Sequence, residues 1–398
     1  MPILTTKTYQ SEVEQELENI LNFWLNNTFD HKNGGFIGKM NSDGVVVDDA
    51  PKGLVLNARI LWTFATAYKT RQNPTYLEAA KRAFDVLKTH FEDKEFGGFY
   101  WAIKATGAPL NTRKQIYGIA FALYGLSEFY QITNDDYVRN WAIEIFEWIE
   151  KYSFNPKNKG YLEAVARDGS HLEDMRLSPK DRNDPLSMNT HLHILEAYTN
   201  LYRIWQNPFL EQQTKNLIDL FLNHIIDAKT KHLILFFDEK WQPTDTEISY
   251  GHDIEAAWLV LEAAEALNYK VAECKKVAVD IAHAAAKGLD TEGGLDYEAH
   301  RKERHWWVQA EAMVGFLNAY ELSHEPHFLE KSMLSWDFIK KHFIDTIHGE
   351  WFWGFTEGGQ LMEHEDKVGF WKCPYHNVRA CIEVSRRLAQ YLELKSCR

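Results

Sequence analysis

GGFIGKM (34–40), GGFYWAI (97–103), KGYLEAV (159–165), HLILFFDE (232–239), GGLDYEA (293–299) and GEWFWGF (349–355) are six versions of one extended glycine-aromatic scrap. Gly35, Gly98 and Gly160 follow one another at steps of 63 and 62 residues; two repeats share the 134 residues to Gly294, and the last step takes 55. A period of this kind marks an architecture in which each unit buries its apolar face only against its neighbours.

Between the scraps, apolar residues recur at i, i+3, i+4 and i+7, the spacing of amphipathic helices, and two helices fit in each period. One set covers about 8–28, 74–92, 135–152, 208–227, 270–288 and 327–344, with charged outer faces and starts marked by Asn73-Pro74, Asn134-Asp135, Asn207-Pro208 and Pro326. The other set includes KQIYGIAFALYGLSEFY, GHDIEAAWLVLEAAEAL and HWWVQAEAMVGFLNAYEL. These are richer in Ala and Gly and apolar over more of their circumference, as helices crowded on both sides must be. Six outer and six inner helices in alternation predict an all-α fold, an (α/α)6 barrel. It has short β-hairpins on one rim and one domain over 1–398; an open solenoid would need polar capping repeats.

A formal net charge of −13 disfavours nucleic acid and anionic membrane surfaces, which reward basic patches. Aromatics at 14%, with 14 Trp, suit stacking on flat sugar faces. Cys274, Cys373, Cys381 and Cys397 have no CxxC or zinc-finger spacing and read as reduced thiols. The N-terminus lacks a basic region followed by an apolar run, and no segment approaches about 18 uninterrupted apolar residues. A cytoplasmic protein is the expectation.

The inner helices carry polar residues in their first two turns: Arg59, Tyr117, Asn189 with His193, His252 with Glu255, Trp306 with Gln309, and His376 with Arg379. In a closed barrel all of them converge on one mouth. The i, i+3 and i, i+4 spacings put each pair on one helix face, whereas His191 must point elsewhere. His191 and His305 are expected to be structural. A helix N-terminus lowers an imidazole's proton affinity, so His252 and His376 are expected to be neutral bases near pH 7. Glu255 is placed to orient a ring nitrogen, and Arg59 to stabilise an oxyanion beside a carbonyl. Two bases on opposite faces of one carbon permit inversion there.

Other chemistries lack their residues. There is no HExxH, and His191 and His193 diverge too far around the helix to chelate one ion, so metal catalysis is not expected. GxSxG, P-loop and GxGxxG motifs are missing. Asp184, Asp253 and Glu255 are the candidates for the carboxylate pair that a glycosidase on such a barrel needs, and histidines outnumber them at the mouth.

The segments SMNTHLHILEAYTNLYR (187–203), SYGHDIEAAWLVLEAAEAL (249–267), RHWWVQAEAMVGFLNAY (304–320) and WKCPYHNVRACIE (371–383) resemble the cellobiose 2-epimerases of the N-acylglucosamine 2-epimerase superfamily. The similarity spans nearly the whole chain, and the superfamily is built on an (α/α)6 barrel. It implies cofactor-free inversion at C2 of the reducing-end glucose of a β-1,4-linked disaccharide, cellobiose to glucosyl-mannose and lactose to epilactose. The route is ring opening and a cis-enediolate. The implied acid/base pair is His376 and His252, with His252 also assisting ring opening. His193 would contact O1, Arg59 would hold the developing charge, and Glu255 would orient a histidine. Tyr117, Asn189, Trp306 and Trp371 resemble sugar-binding positions, helical phase favouring Trp306 over Trp307. A small-molecule sugar is the implied partner, to a monomer or weak homodimer. Leu186 departs from the lysine many members carry, which would alter the rim around the second sugar. A related mannose 2-epimerase or an aldose-ketose isomerase uses the same groups, and obstruction of the disaccharide subsite is expected from 229–250, read as lengthening the fourth repeat.

Overall fold

In the computed structural model, which describes residues 4–396, the twelve expected helices form within a few residues of their expected bounds. The outer helices are α1 (Thr6–Asn27), α3 (Pro74–Val86), α5 (Asp136–Tyr152), α7 (Pro208–Leu220), α9 (Val271–Ala285) and α11 (Pro326–His342). The inner ones are α2 (Leu54–Arg71), α4 (Ile116–Thr133), α6 (Met188–Ile204), α8 (Tyr250–Ala266), α10 (Trp306–Ser323) and α12 (Tyr375–Ser396). The side chains of Asn73, Asp135 and Asn207 cap α3, α5 and α7, accepting backbone N–H groups that helix starts leave unpaired.

Inner helices pack side by side in the order α2, α4, α6, α8, α10, α12 and back to α2, so the ring closes. Each outer helix packs on the inner helix before it, and α1 covers α12, which joins the two ends of the chain. The inner helices approach closely enough that a Cβ on Gly315 of α10 would lie 2.5 Å from the carbonyl oxygen of Ile254 on α8. That contact explains why small residues concentrate there.

The six scraps share more than glycine. Asp30, Asp93, Asn155, Asp227, Asp290 and Asp345 open them, each side chain accepting backbone N–H groups two to four residues on. Three or four residues later the chain turns through left-handed backbone, at Gly34, Gly97, Lys159, Lys231, Gly293 and Gly349. Lys159 and Lys231 tolerate that conformation at a cost of about 1 kcal/mol that glycine avoids. Two residues further on, Phe36, Phe99, Tyr161, Leu233, Leu295 and Trp351 bridge back to the end of the preceding outer helix.

The strands are stitched between repeats. Residues just before one inner helix pair with the next repeat's scrap: Lys52–Gly53 with Ala102–Ile103, Lys114–Gln115 with Ala164–Val165, Leu186–Ser187 with Phe236–Phe237, and Arg304–His305 with Gly354–Phe355. Bridges Ser249–Glu298 and Met40–Val368 complete the collar. In four repeats a basic residue of this collar holds the opening aspartate: Lys52–Asp30 at 2.8 Å, Lys114–Asp93 at 2.9 Å, Arg304–Asp290 at 2.7 Å and Lys367–Asp345 at 2.5 Å.

Two expectations change. The longest link between an outer and an inner helix is 153–187, not the fourth-repeat link 226–249, because the added residues lie after Val165. Leu186 is fully buried against Gly160 and paired with Phe237, so it is a core position and not a rim contact. Cys274, Cys373 and Cys381 are buried free thiols; Cys397 lies outside the described residues. Among the described residues no helix is long and apolar enough to cross a membrane.

Asp93 and Lys114 are both fully buried. Against the burial that would raise it, Arg167 and Lys114 hold the Asp93 carboxyl well below the usual carboxylate range. Because the folded value lies below the unfolded one, that stabilisation is complete above about pH 4 and fades as pH falls further. Asp93→Ala strands Lys114 as a buried unpaired cation and is expected to cost about 3–5 kcal/mol in urea unfolding at neutral pH. A loss below about 1 kcal/mol would mean that the pair contributes no more than a surface ion pair.

Candidate active site

All six scraps connect an outer-helix C-terminus to an inner-helix N-terminus, so every inner helix starts at the collar rim. The polar residues of the first turns therefore gather at one rim. Arg59 is buried and donates to the Tyr117 hydroxyl at 2.7 Å. Its guanidinium lies over Phe121 at 4.1 Å and Tyr375 at 4.9 Å, with Nε unpartnered. Tyr117 and Phe121 in turn pack on the His193 imidazole at 4.9 and 4.7 Å. Asn189 is half-buried with Oδ1 unpartnered. Trp371 closes this side, 6.0 Å from Tyr117 and 5.8 Å from Trp101.

Below the histidines lies a buried charge cluster centred on Arg379 of α12. Its guanidinium meets Glu255 of α8 at 2.8 Å, Glu311 of α10 at 2.5 Å, and Glu196 of α6. Glu311 accepts from His376 Nδ1 at 2.7 Å and from Trp258 Nε1 at 3.0 Å. Glu196 accepts from His193 Nδ1 at 3.0 Å and from the Tyr375 hydroxyl. With Nδ1–H held by a carboxylate, each imidazole presents Nε2 as its free base.

His252 is held differently, its Nδ1 on the Ser249 hydroxyl at 2.7 Å. Trp307 lies beside both histidines, 4.9 Å from His252 and 5.6 Å from His376 between ring centroids. Burial lowers the proton affinity of His252 and His376 to a pKa of about 3, and lowers that of His193 against the opposing pull of Glu196. Three neutral imidazoles near pH 7 follow. Desolvation acts in the direction of the neutrality expected of His252 and His376.

Several positions differ from their expected roles. Glu255 lies 3.9 Å from His376 Nδ1, too far for a hydrogen bond, and Glu311 does the orienting. Trp306 is buried on Trp353 at 4.4 Å under the Lys372 ammonium, so Trp307 is the tryptophan at the histidines. Gln309, on the far face, braces the fifth scrap through the N–H and C=O of Leu295. His191 is structural as expected, accepting from Tyr161 N–H and bonding the Ser187 carbonyl. Asp253 likewise binds the fourth scrap, through Leu233 N–H and His232, and Asp184 pairs with Arg182. Glu196 and Glu311 went unread. Glu196 follows His193 at i+3, the spacing that singled out Glu255, whereas Glu311 has no histidine on its own helix to betray it.

Two groups of described residues bring three metal-type ligands within 4.8 Å of one another. His283, Glu325 and His327 lie at the junction of outer helices α9 and α11, away from the mouth. Glu255, Glu311 and His376 are in the site, where Arg379 already supplies the positive charge between the carboxylates.

Residues 35–380 match the family model described as N-acylglucosamine 2-epimerase. The chain is 47% identical over 384 residues to a cellobiose 2-epimerase of Bacteroides fragilis, covering 94% of this chain and 98% of that one. A solved structure of cellobiose 2-epimerase from Bacillus thermoamylovorans superimposes with a TM-score of 0.92 at 38% identity, covering 96% of this chain and all of the other. At 23% identity over 410 residues, covering 97% of this chain and 99% of the relative, it is also similar to a D-mannose isomerase of Marinomonas mediterranea. The arrangement of helices, histidines and mouth thus sits in a chain that belongs to the N-acylglucosamine 2-epimerase family, an isomerase and a sugar 2-epimerase.

Proposed function

We propose that the protein inverts C2 of the reducing-end glucose of β-1,4-linked disaccharides, taking cellobiose to glucosyl-mannose and lactose to epilactose. The observation that supports this reading best is the pair of imidazoles, His252 and His376, flanking one tryptophan, with the Arg59 guanidinium in the same mouth. The resemblance at 47% identity to a cellobiose 2-epimerase supports the disaccharide class.

The sugar enters as a hemiacetal. His252 accepts the O1 proton while O5 takes one from water, the C1–O5 bond breaks, and the C1 aldehyde acidifies the C2 proton. Neutral His376 then removes that proton, and a planar cis-enediolate forms. Its charge settles on O1, near His193 and the Arg59 guanidinium. His252 returns its proton to C2 from the opposite face, the ring recloses, and His376 gives its proton up to water. Such transfers contribute roughly 10² to 10⁴ each in rate. Glu311 fixes the His376 tautomer throughout. Tyr117, Asn189 and Trp371 line the sugar, and Trp307 offers the flat face that Trp306 cannot.

Incubation in D2O with cellobiose, and separately with mannose, followed by NMR, tests this directly. Deuterium at C2 together with the C2 epimer of cellobiose is the expected result. Exchange with mannose alone would make the protein a mannose 2-epimerase, ketose formation would make it an aldose-ketose isomerase, and release of two monosaccharides would make it a hydrolase.

His252→Ala and His376→Ala are each expected to cut C2 exchange by roughly 10² or more. Each should leave unfolding stability within about 2 kcal/mol; one fully active variant would remove that residue from the mechanism. Since both imidazoles must be neutral and burial lowers their proton affinity, the acid limb of kcat/KM is expected below pH 6.5, the ordinary histidine value. An acid limb above that value would contradict the neutral-base assignment.

A further inference from the structure

The charges around Arg379 do not balance. Glu196, Glu255 and Glu311 all reach one guanidinium and are 4%, 1% and 1% exposed. Arg59, the second buried cation of the mouth, faces the rings of Phe121 and Tyr375 and donates to Tyr117, with no carboxylate of the described residues in hydrogen-bond reach. The other titratable groups facing Glu255 add no positive charge. His252 on its own helix, His193 on α6 and His376 on α12 are neutral at neutral pH, and burial keeps the Tyr117 and Tyr375 hydroxyls protonated. Three anions against two cations leave one charge in excess, and carboxylates this close in a dry site do not all ionise.

Hydrogen-bond donors decide which carboxyl keeps a proton, because each donor favours the charged form. Glu196 has Arg379, Tyr375 and His193; Glu311 has Arg379, His376 and Trp258. Among the described residues Glu255 has Arg379 alone. Burial, and then the negative charge of Glu311, raise the Glu255 carboxyl, consistent with that count.

We propose that Glu255 is a neutral, protonated carboxyl in the resting enzyme and acts as a positioning residue, holding Arg379 without adding charge so that Glu311 stays ionised beneath His376. The catalytic consequence rests on the epimerase reading above; the proton itself does not. As Glu255 ionises at alkaline pH, the added negative charge opposes an anionic enediolate, so turnover falls.

Two measurements test it. Infrared difference spectra of substrate-free wild type against Glu255→Gln at about pH 7 are expected to show a protonated-carboxyl band that the variant lacks. Glu163, buried on Ser187 and Thr190 and raised to about 7, contributes equally to both and cancels. Should the amide variant fail to fold, Glu255→Met reads the same band. No band, or one that persists in the variant and disappears in Glu311→Gln, overturns the assignment.

The second measurement is kcat/KM for C2 exchange from about pH 6 to about pH 10. The wild-type alkaline limb is expected to move upward by about 1 unit or more in Glu255→Gln, whose amide cannot ionise. In Glu311→Gln, which removes the negative charge that raises Glu255, the limb should move to lower pH while kcat falls by roughly 10². A purely structural Glu255 would lower stability without moving the limb, and an unmoved limb overturns the positioning role. A band that behaves as expected in a protein that exchanges no sugar leaves the proton standing and the epimerase reading failed.

Discussion

The Arg379 guanidinium ties four of the six inner helices together through three buried carboxylates. Taking those charges out of water is costly, and only mutual pairing with further donors offsets it. A rotation of α6, α8 or α10 by one residue would swing Glu196, Glu255 or Glu311 off the guanidinium. The cluster therefore sets helix phase as well as charge. Phase is what brings the histidines together at the mouth, because His193 and Glu196, His252 and Glu255, and His376 and Arg379 are i, i+3 pairs on rigid helices. The apolar shell of Tyr375, Trp258 and Tyr124 around the cluster keeps water away and keeps the pairing strong.

The collar supplies the other coordinate, height along the barrel axis. Each scrap opens on an aspartate or asparagine, turns through one or two left-handed residues, and returns to bridge its own outer helix before pairing with the next repeat. The start of every inner helix is thereby pinned relative to its neighbours, and in four repeats a buried or half-buried ion pair fastens it. Residues such as His191, Asp253 and Gln309 occupy inner-helix first turns yet serve this collar and not the sugar. A polar first turn is thus a necessary sign of the mouth and not a sufficient one.

This division explains what could be read from the chain. Glycine, an aromatic and a capping residue at fixed intervals are local backbone requirements, so the repeat, the twelve helices and the closed ring were legible. The histidines were legible for the same reason, as polar residues at equivalent depths on apolar helices. Partners across helices were not. Glu311 sits mid-helix with no local mark, and its bond to His376 spans 65 positions of sequence. Trp306 and Trp307 are neighbours differing by about 100° of helical rotation, and the choice between them turned on Lys372 and Trp353, distant in sequence, claiming the first. The added length of the third outer-to-inner link was misplaced because the fourth scrap lacks its glycine pair, which hid where one repeat ended.

The same barrel can present carboxylates or imidazoles at its mouth, and what the carboxylates are bonded to decides the chemistry available. A glycosidase needs two free carboxyl groups facing each other across a bond, one to protonate the leaving oxygen and one to attack or to activate water. Here the three carboxylates nearest the histidines all point into a single guanidinium, and two of them are further committed to holding imidazole Nδ1. None is left to flank a glycosidic oxygen. What reaches the mouth is basic nitrogen, kept neutral by burial, beside an arginine whose charge is balanced by aromatic faces and not by an acid. Nitrogen bases with an unpaired cation suit the proposed removal of a proton from carbon better than cleavage of a carbon–oxygen bond, and the bonds of Arg379 are what leave that arrangement at the mouth.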